Sequence, residues 1–239
     1  MAVQPWRKGV VLQILQEAPA THRYLIQVPE LERFDFEPGQ FVTLDLPIGE
    51  KNVDRWRSYS IASWPDGTNI FELVIVLAEG GKGTDYIFHE IREGSEFTFR
   101  GAQGKFTLPG AIDRDLFLIC TGTGIAPFRS MAHHILNNKI AHQNIHVVFG
   151  CRTKTDLLYY DELISLSKSI DKFHYHPTLS REEWEGETGY VHQVYQKLLT
   201  DKPSAYFFLC GWKNMITDAR HKLMELGYDK KDVHFELYG

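Results

Sequence analysis

Arg57, Tyr59 and Ser60, within the run RSYSIAS (57–63), combine a cation, a phenol and a hydroxyl at strand spacing. A guanidinium can grip phosphate through a bidentate fork. A tyrosine two residues on points to the same strand face and can lie flat against a planar heterocycle. The serine turns to the opposite face and offers a hydroxyl and a backbone donor. A second set follows at Gly80-Gly81-Lys82-Gly83-Thr84, which feeds the helical pattern DYIFHEIREG. With Thr84 near the N-cap and Gly94 as the stop, unpaired N–H groups and the helix dipole would point into this glycine loop, an anion-binding geometry.

A third set is Thr121-Gly122-Thr123-Gly124-Ile125-Ala126-Pro127, directly after an apolar strand. Two glycines there let the backbone approach a pyrophosphate at a helix start. Pro127 stands where the third glycine of the usual dinucleotide fingerprint would be. Proline early in a helix is tolerated because its missing N–H would be unpaired anyway. Cys120, Cys151 and Cys210 all fall near the carboxyl ends of apolar strands, at one rim of a sheet. For Cys120 and Cys151 the reading is that of a small hydrophobe. Cys210 precedes Gly211, which permits close approach of a ligand, and is assigned a functional role.

The elements that must position these groups divide the chain into two patterns. Short apolar runs at 10–16, 24–28, 41–46, 57–63, 71–77, 96–100 and 105–108 are bounded by Pro, Gly and Asp turns. The last two flank a turn at 101–104, and together the runs suggest a small antiparallel barrel. From residue 115 onward, strands at 116–120, 145–150, 173–178, 205–210 and 233–237 alternate with helical stretches. Those stretches start at 125, run over 156–167 and around 191–199, and place Ile216, Ala219, Leu223 and Leu226 on one face. Runs such as LFLIC, IHVVFG and AYFFLC are apolar throughout, as strands covered on both faces must be. The second half therefore reads as a doubly wound parallel α/β domain. The junction falls near 109–114, giving domains over 1–112 and 113–239.

Composition excludes several classes. A formal charge of −5 over 239 residues argues against a nucleic-acid partner, which needs a basic face. No apolar run has the length of a membrane span, and MAVQPWRKG lacks a signal-peptide core. Three separated cysteines fit a reducing cytoplasm and are too few for an iron–sulfur cluster. The eleven histidines show no ligand spacing, so no metal is expected.

The motifs FEPGQF (36–41), RSYS (57–60), GGKGT (80–84), GKF (104–106), GTGIAP (122–127), CGW (210–212) and FELYG (235–239) occur in this order. In them the chain resembles the ferredoxin–NADP reductase superfamily over nearly its whole length. The resemblance implies an FAD-binding barrel followed by an NAD(P)-binding domain, although these residues alone do not separate FAD from FMN. By the same resemblance, Arg57 pairs with flavin phosphate, Tyr59 stacks on the isoalloxazine and Ser60 sits near flavin N5. Gly81, Lys82, Gly83 and Thr84 would hold the flavin pyrophosphate. Gly122, Thr123, Gly124 and Pro127 would line that of the nicotinamide nucleotide. Cys210 and Glu236 would lie near the nicotinamide, with Tyr238 over the other flavin face. Ser60, Cys210, Glu236 and Tyr238 thus form the implied catalytic group.

Ser180 and Arg181 are similar to the segment that grips the 2′-phosphate in NADP-using relatives, with Arg152 in support. The preference is for NADPH over NADH; the competing reading is a solvated charged loop, SREEWEGE. The implied activity passes electrons from NAD(P)H through FAD to a separate carrier, ferredoxin or flavodoxin, in a monomeric enzyme. Alternatives are the reductase component of an oxygenase, a reductase using free flavin as substrate, and an electron-transfer subunit of a larger complex.

Overall fold

A computed structural model describes residues 4–238, the side chain of Tyr238 excepted. The first half forms β1 (Trp6–Ala18), β2 (Thr21–Gln27), β3 (Phe41–Asp45), β4 (Trp56–Ser60), β5 (Ile70–Val76) and β6 (Glu96–Gln103). They pair antiparallel in the order β4-β3-β6-β1-β2-β5. An antiparallel Ile61–Leu73 bridge and the bond from Ala62 N–H to the Glu72 carbonyl, 2.8 Å, join the two outer strands. The sheet therefore closes into a barrel, which removes its exposed edges. Inside it lie Val11, Ile26, Val42, Phe71, Leu73 and Phe99. A single helical turn, α1 (Asn52–Arg55), precedes β4, and Ile87 of α2 (Lys82–Glu90) and Ile91 just beyond it pack onto this core.

The expected strand over 105–108 does not form. β6 continues through the expected turn to Gln103, which still pairs with Phe41 of β3. Phe106 is apolar for a different reason: it leaves the barrel and packs on Phe128 and Phe208 of the other half.

The second half contains β7 (Asp115–Thr121), α3 (Ala126–Asn138), β8 (Ile145–Cys151), α4 (Tyr160–Ser169) and β9 (Phe173–Leu179). It ends with β10 (Glu187–Thr188), α5 (Val191–Leu198), β11 (Ala205–Trp212), α6 (Lys213–Glu225) and β12 (Val233–Tyr238). The strands are parallel, in the order β10-β9-β8-β7-β11-β12. Phe128 and Met131 of α3 and Leu163 and Leu166 of α4 cover one face. Val191 and Val194 of α5 and Ile216 and Leu223 of α6 cover the other. This two-sided burial is why LFLIC is apolar throughout.

Two helix starts differ from expectation. A 3-10 turn at Gly122–Ile125 precedes α3. The helix expected from 156 begins only at Tyr160. Thr153 and Asp156 close a separate 3-10 turn through a capping box, and Tyr159, with φ 53°, breaks the chain direction between them. Strand order reverses beside β7, so the carboxyl ends of β7 and β11 flank the crevice where open α/β sheets bind ligands.

The barrel depends most on its aromatic centre. Phe99 is 0% exposed and touches Phe34 and Phe71 at ring-centroid distances of 5.8 and 5.2 Å. Phe99→Ala is expected to destabilise the protein by about 3–5 kcal/mol in urea unfolding.

Candidate active site

Arg57 and the glycine loop meet. A Cβ on Gly83 would lie 2.9 Å from Arg57 Cγ and 3.1 Å from its Nε, so only glycine lets this side chain cross the start of α2. Arg57 Nη1 donates to the Trp56 carbonyl at 2.8 Å and, more weakly, to that of Val53 at 3.5 Å. Its Nε and Nη2 have no protein acceptor among the described residues. The fork and the N–H groups of the first helical turn therefore lie side by side, an arrangement able to hold one anion. Gly81, not Thr84, is the N-cap. Thr84 lies inside the first turn and fixes the loop, its hydroxyl accepting from Ala78 N–H at 3.1 Å and donating to the Gly81 carbonyl at 3.0 Å. Lys82 is exposed beside them. A charge-assisted bond of the Arg–phosphate kind is worth roughly 1.5–3 kcal/mol.

Tyr59 leans on the barrel core, and burial raises its phenol to about 12 against the lowering influence of Arg57. Ser60, next along the strand, is 3% exposed. Its hydroxyl donates to Glu236 Oε2 at 2.5 Å, joining the barrel's β4 to the last strand of the other half. Burial raises the Glu236 carboxyl, and the Ser60 hydrogen bond only partly offsets this. Cys210 is in register with Glu236 on β12 and with Cys120 on β7, and it is fully buried. The stacking expected of Tyr238 lies outside the described side chains.

Backbone dominates the rim between the halves. A Cβ on Gly124 would sit 2.4 Å from the Cys210 carbonyl oxygen. Gly211, at φ +132°, likewise presses on Thr121, where a Cβ would meet Oγ1 at 2.4 Å. Both glycines are thus required for close approach, and Thr123 and Pro127 are carried with the loop onto the start of α3. Sequence reading passed over Trp212 as a site residue. It is 60% exposed, its N–H donates to Thr121 Oγ1 at 3.2 Å, and its indole lies beside Gly122. The CGW motif carried that signal.

The strand-end loops hold the remaining candidates. Arg181 N–H donates to the Arg152 carbonyl at 2.9 Å, which brings the two exposed arginines together. Neither side chain has an ion-pair partner among the described residues. Lys154 instead takes Glu185 at 2.9 Å, and Glu182 accepts from Lys154 N–H at 2.8 Å. The Ser180 hydroxyl already donates to the Cys151 carbonyl at 3.1 Å, so it must reorient to donate to a phosphate.

The residues at this seam that sequence reading missed are charged. Arg129 of α3 donates Nη1 to the Ala62 carbonyl at 3.0 Å and to Glu72 Oε1 at 3.3 Å. Its other donors hold Glu162, Nε at 2.7 Å and Nη2 at 3.1 Å. A charged residue inside the apolar stripe of α3 was the available clue.

A group whose pKa is raised by folding stabilises the fold below its ordinary value and withdraws that stability as pH rises. Glu236 is such a group, with an ordinary value of 4.5. Glu236→Gln keeps an acceptor for Ser60, so its melting temperature should exceed that of the wild type at neutral pH. The difference should close as pH falls below 4.5, a trend that thermal scans across pH would read out.

Residues 9–108 match the oxidoreductase FAD-binding domain, and residues 118–221 match the oxidoreductase NAD-binding domain. Ferredoxin–NADP reductase B of Sorangium cellulosum is 38% identical over 215 residues, covering 86% of this chain and 86% of that protein. The anthranilate 1,2-dioxygenase electron transfer component of Acinetobacter baylyi is 30% identical over 210 residues. That match covers 87% of this chain and spans 60% of the relative's length. A ferredoxin NADP+ reductase from Neisseria gonorrhoeae, crystallised with FAD and NADP, superposes with a TM-score of 0.79 at 24% identity, covering 98% of each chain. By motif order, paired domains and identity over most of its length, this chain belongs to the ferredoxin–NADP reductase superfamily of FAD- and NAD(P)-binding oxidoreductases.

Proposed function

We propose that the protein is a reductase that takes electrons from NADPH through FAD to a separate one-electron carrier, ferredoxin or flavodoxin. The observation that carries this reading is the Ser60–Glu236 bond, where the end of the flavin-side strand meets the end of the nucleotide-side sheet. The residues present fit both cofactors. The Gly81–Thr84 turn and the unfilled donors of Arg57 suit a flavin pyrophosphate, and Tyr59 offers a flat phenol beside them. Bound FAD supplies the conversion of a two-electron donor into two one-electron deliveries. Ser60 and Glu236 hold a proton between them where the barrel's β4 meets β12 of the second half. Cys210 and Gly211 set the floor against which a nicotinamide rests, and Tyr238 is assigned to cover the flavin. Gly122, Thr123, Gly124 and Pro127 present backbone N–H groups to the nucleotide's pyrophosphate. Ser180, Arg181 and Arg152 recognise its 2′-phosphate.

The likeness to an oxygenase's electron transfer component supports a second reading in which the acceptor is an oxygenase component. Among the described residues no helix is long and apolar enough to cross a membrane. Three cysteines in a chain of this size suit a reducing cytoplasm, and a monomer divided near residue 112 completes the proposal.

The decisive experiment is a visible spectrum of the purified protein followed by anaerobic titration with NADPH and NADH. Bound flavin bleached by NADPH in preference to NADH is expected. Colourless protein that reduces added flavin would replace this reading with a free-flavin reductase. Arg181→Ala should raise the KM for NADPH by roughly tenfold or more, the value of one lost charge-assisted bond, and leave NADH unchanged. Equal effects on both nucleotides in steady-state assays would refute the 2′-phosphate assignment.

A further inference from the structure

Arg129 stands at a junction that the proposed chemistry does not itself use. It is 5% exposed, in the first turns of α3, the helix launched by the Gly122–Ile125 turn. Its guanidinium crosses the seam to the barrel and donates to the carbonyl of Ala62, two residues beyond Ser60. That short segment is pinned from other sides as well. Ile61 N–H donates to the Gln40 carbonyl at 3.0 Å, and Ala62 N–H donates to the Glu72 carbonyl at 2.8 Å. The guanidinium is held in its own plane by the paired oxygens of Glu162 and by the ring of Tyr159, 4.4 Å from its centre. A planar fork fixed on both edges has little freedom to pivot.

We infer that Arg129 is a positioning residue for electron transfer from the nicotinamide to the flavin. Resting on the function proposed above, the inference is that the Arg129–Ala62 bond sets the separation between the two ring systems. One end of the lever is the nucleotide-binding loop at the head of α3; the other is the strand end that carries Ser60. Arg129 touches neither cofactor site directly. Reacting atoms must approach to about 3–3.5 Å, and a misplacement of about 1 Å from a distant change can lower a rate a hundredfold. A buried, two-sided clamp on this segment meets that tolerance.

The test compares wild type, Arg129→Gln and Arg129→Lys as flavin-loaded proteins. Melting temperature, flavin content and NADP+ affinity by calorimetry are read beside anaerobic stopped-flow bleaching at saturating NADPH. Lysine restores the charge between Glu72 and Glu162, yet a single amino group cannot reproduce the fork. The expected result is that R129Q keeps its flavin and binds NADP+ within about twofold of wild type, while bleaching slows by about ten- to a hundredfold. R129K should recover melting temperature without recovering the rate. Stability and rate recovering together in R129K would overturn the inference, as would an unchanged rate in R129Q. Loss of fold or flavin in both variants would overturn it too, making Arg129 structural only. Wild-type protein that fails to bleach with NADPH would sink the proposed function, and this inference with it, an outcome the parallel wild-type run separates from the others.

Discussion

The carboxylate of Glu72 has almost no water to turn to, and its hydrogen bonds fix how the two halves meet. It sits in the middle of β5 and is 6% exposed. Arg23 grips it from the barrel with Nε and Nη2, both at 2.8 Å. From the other half come the Tyr159 hydroxyl at 2.7 Å and Arg129 Nη1 at 3.3 Å. Removing one member of such a group strands a buried charge, a penalty of about 3–5 kcal/mol. A sliding displacement would leave Glu72 with Arg23 and Arg129 with Glu162 but break the bonds from Tyr159 and Arg129 that cross between the halves, so those bonds set the register of the seam. The buried group is better understood as specifying orientation than as adding stability, since apolar residues of similar volume often replace such ion pairs without loss of stability.

Other contacts extend this constraint toward the crevice. Glu17 accepts from Tyr159 N–H at 2.7 Å, which helps to hold that residue in its left-handed conformation. The indole of Trp64 stacks on His133 at 3.7 Å between ring centroids, and His133 in turn contacts Glu162. Burial would raise the Glu162 carboxyl, but hydrogen bonds from His133 and Arg129 and the guanidinium charge bring it down to about 2. Its contribution to stability is therefore present above the ordinary value of 4.5 and is lost as pH falls toward 2. At neutral pH the Glu162 carboxyl is therefore ionised beside the Arg129 guanidinium.

Legibility in the sequence followed the range of the interaction. Glycine loops at Gly81–Thr84 and Gly122–Gly124 were readable because a turn beside a helix start is local chemistry. The change from barrel to wound sheet was readable because strands buried on one face or two leave different apolar patterns. Phe106 defeated the same logic: its apolar character answers to Phe128 and Phe208, distant in sequence, and a strand was inferred where none forms. Glu72 inside FELVIVL and Arg129 inside an apolar stripe went unread, although each is a charge in an apolar run. Only the fold reveals their partners: Arg23 and Tyr159 for Glu72, Glu162 and the Ala62 carbonyl for Arg129, and a longer bond between the two. Likewise, no pattern in SREEWEGE distinguishes the arginine left unpaired from the acids that Lys154 engages.

The geometry also divides discrimination from chemistry. At Gly124 and Gly211 the chain approaches itself so closely that backbone, not side chains, forms the centre of the crevice. Backbone N–H groups recognise what all dinucleotides share, a pyrophosphate, and cannot tell one nicotinamide nucleotide from the other. Side chains able to draw that distinction stand farther out on the strand-end loops, where Arg152 and Arg181 are exposed. Those loops continue directly from β8 and β9 and are tied to each other by bonds such as Ser180 N–H to the Cys151 carbonyl, 3.0 Å. Changes at this periphery lie apart from Ser60, Glu236 and the bonds of the seam. The sheet order permits this separation, because each loop leaves a different strand and the core beneath them is buried on both faces.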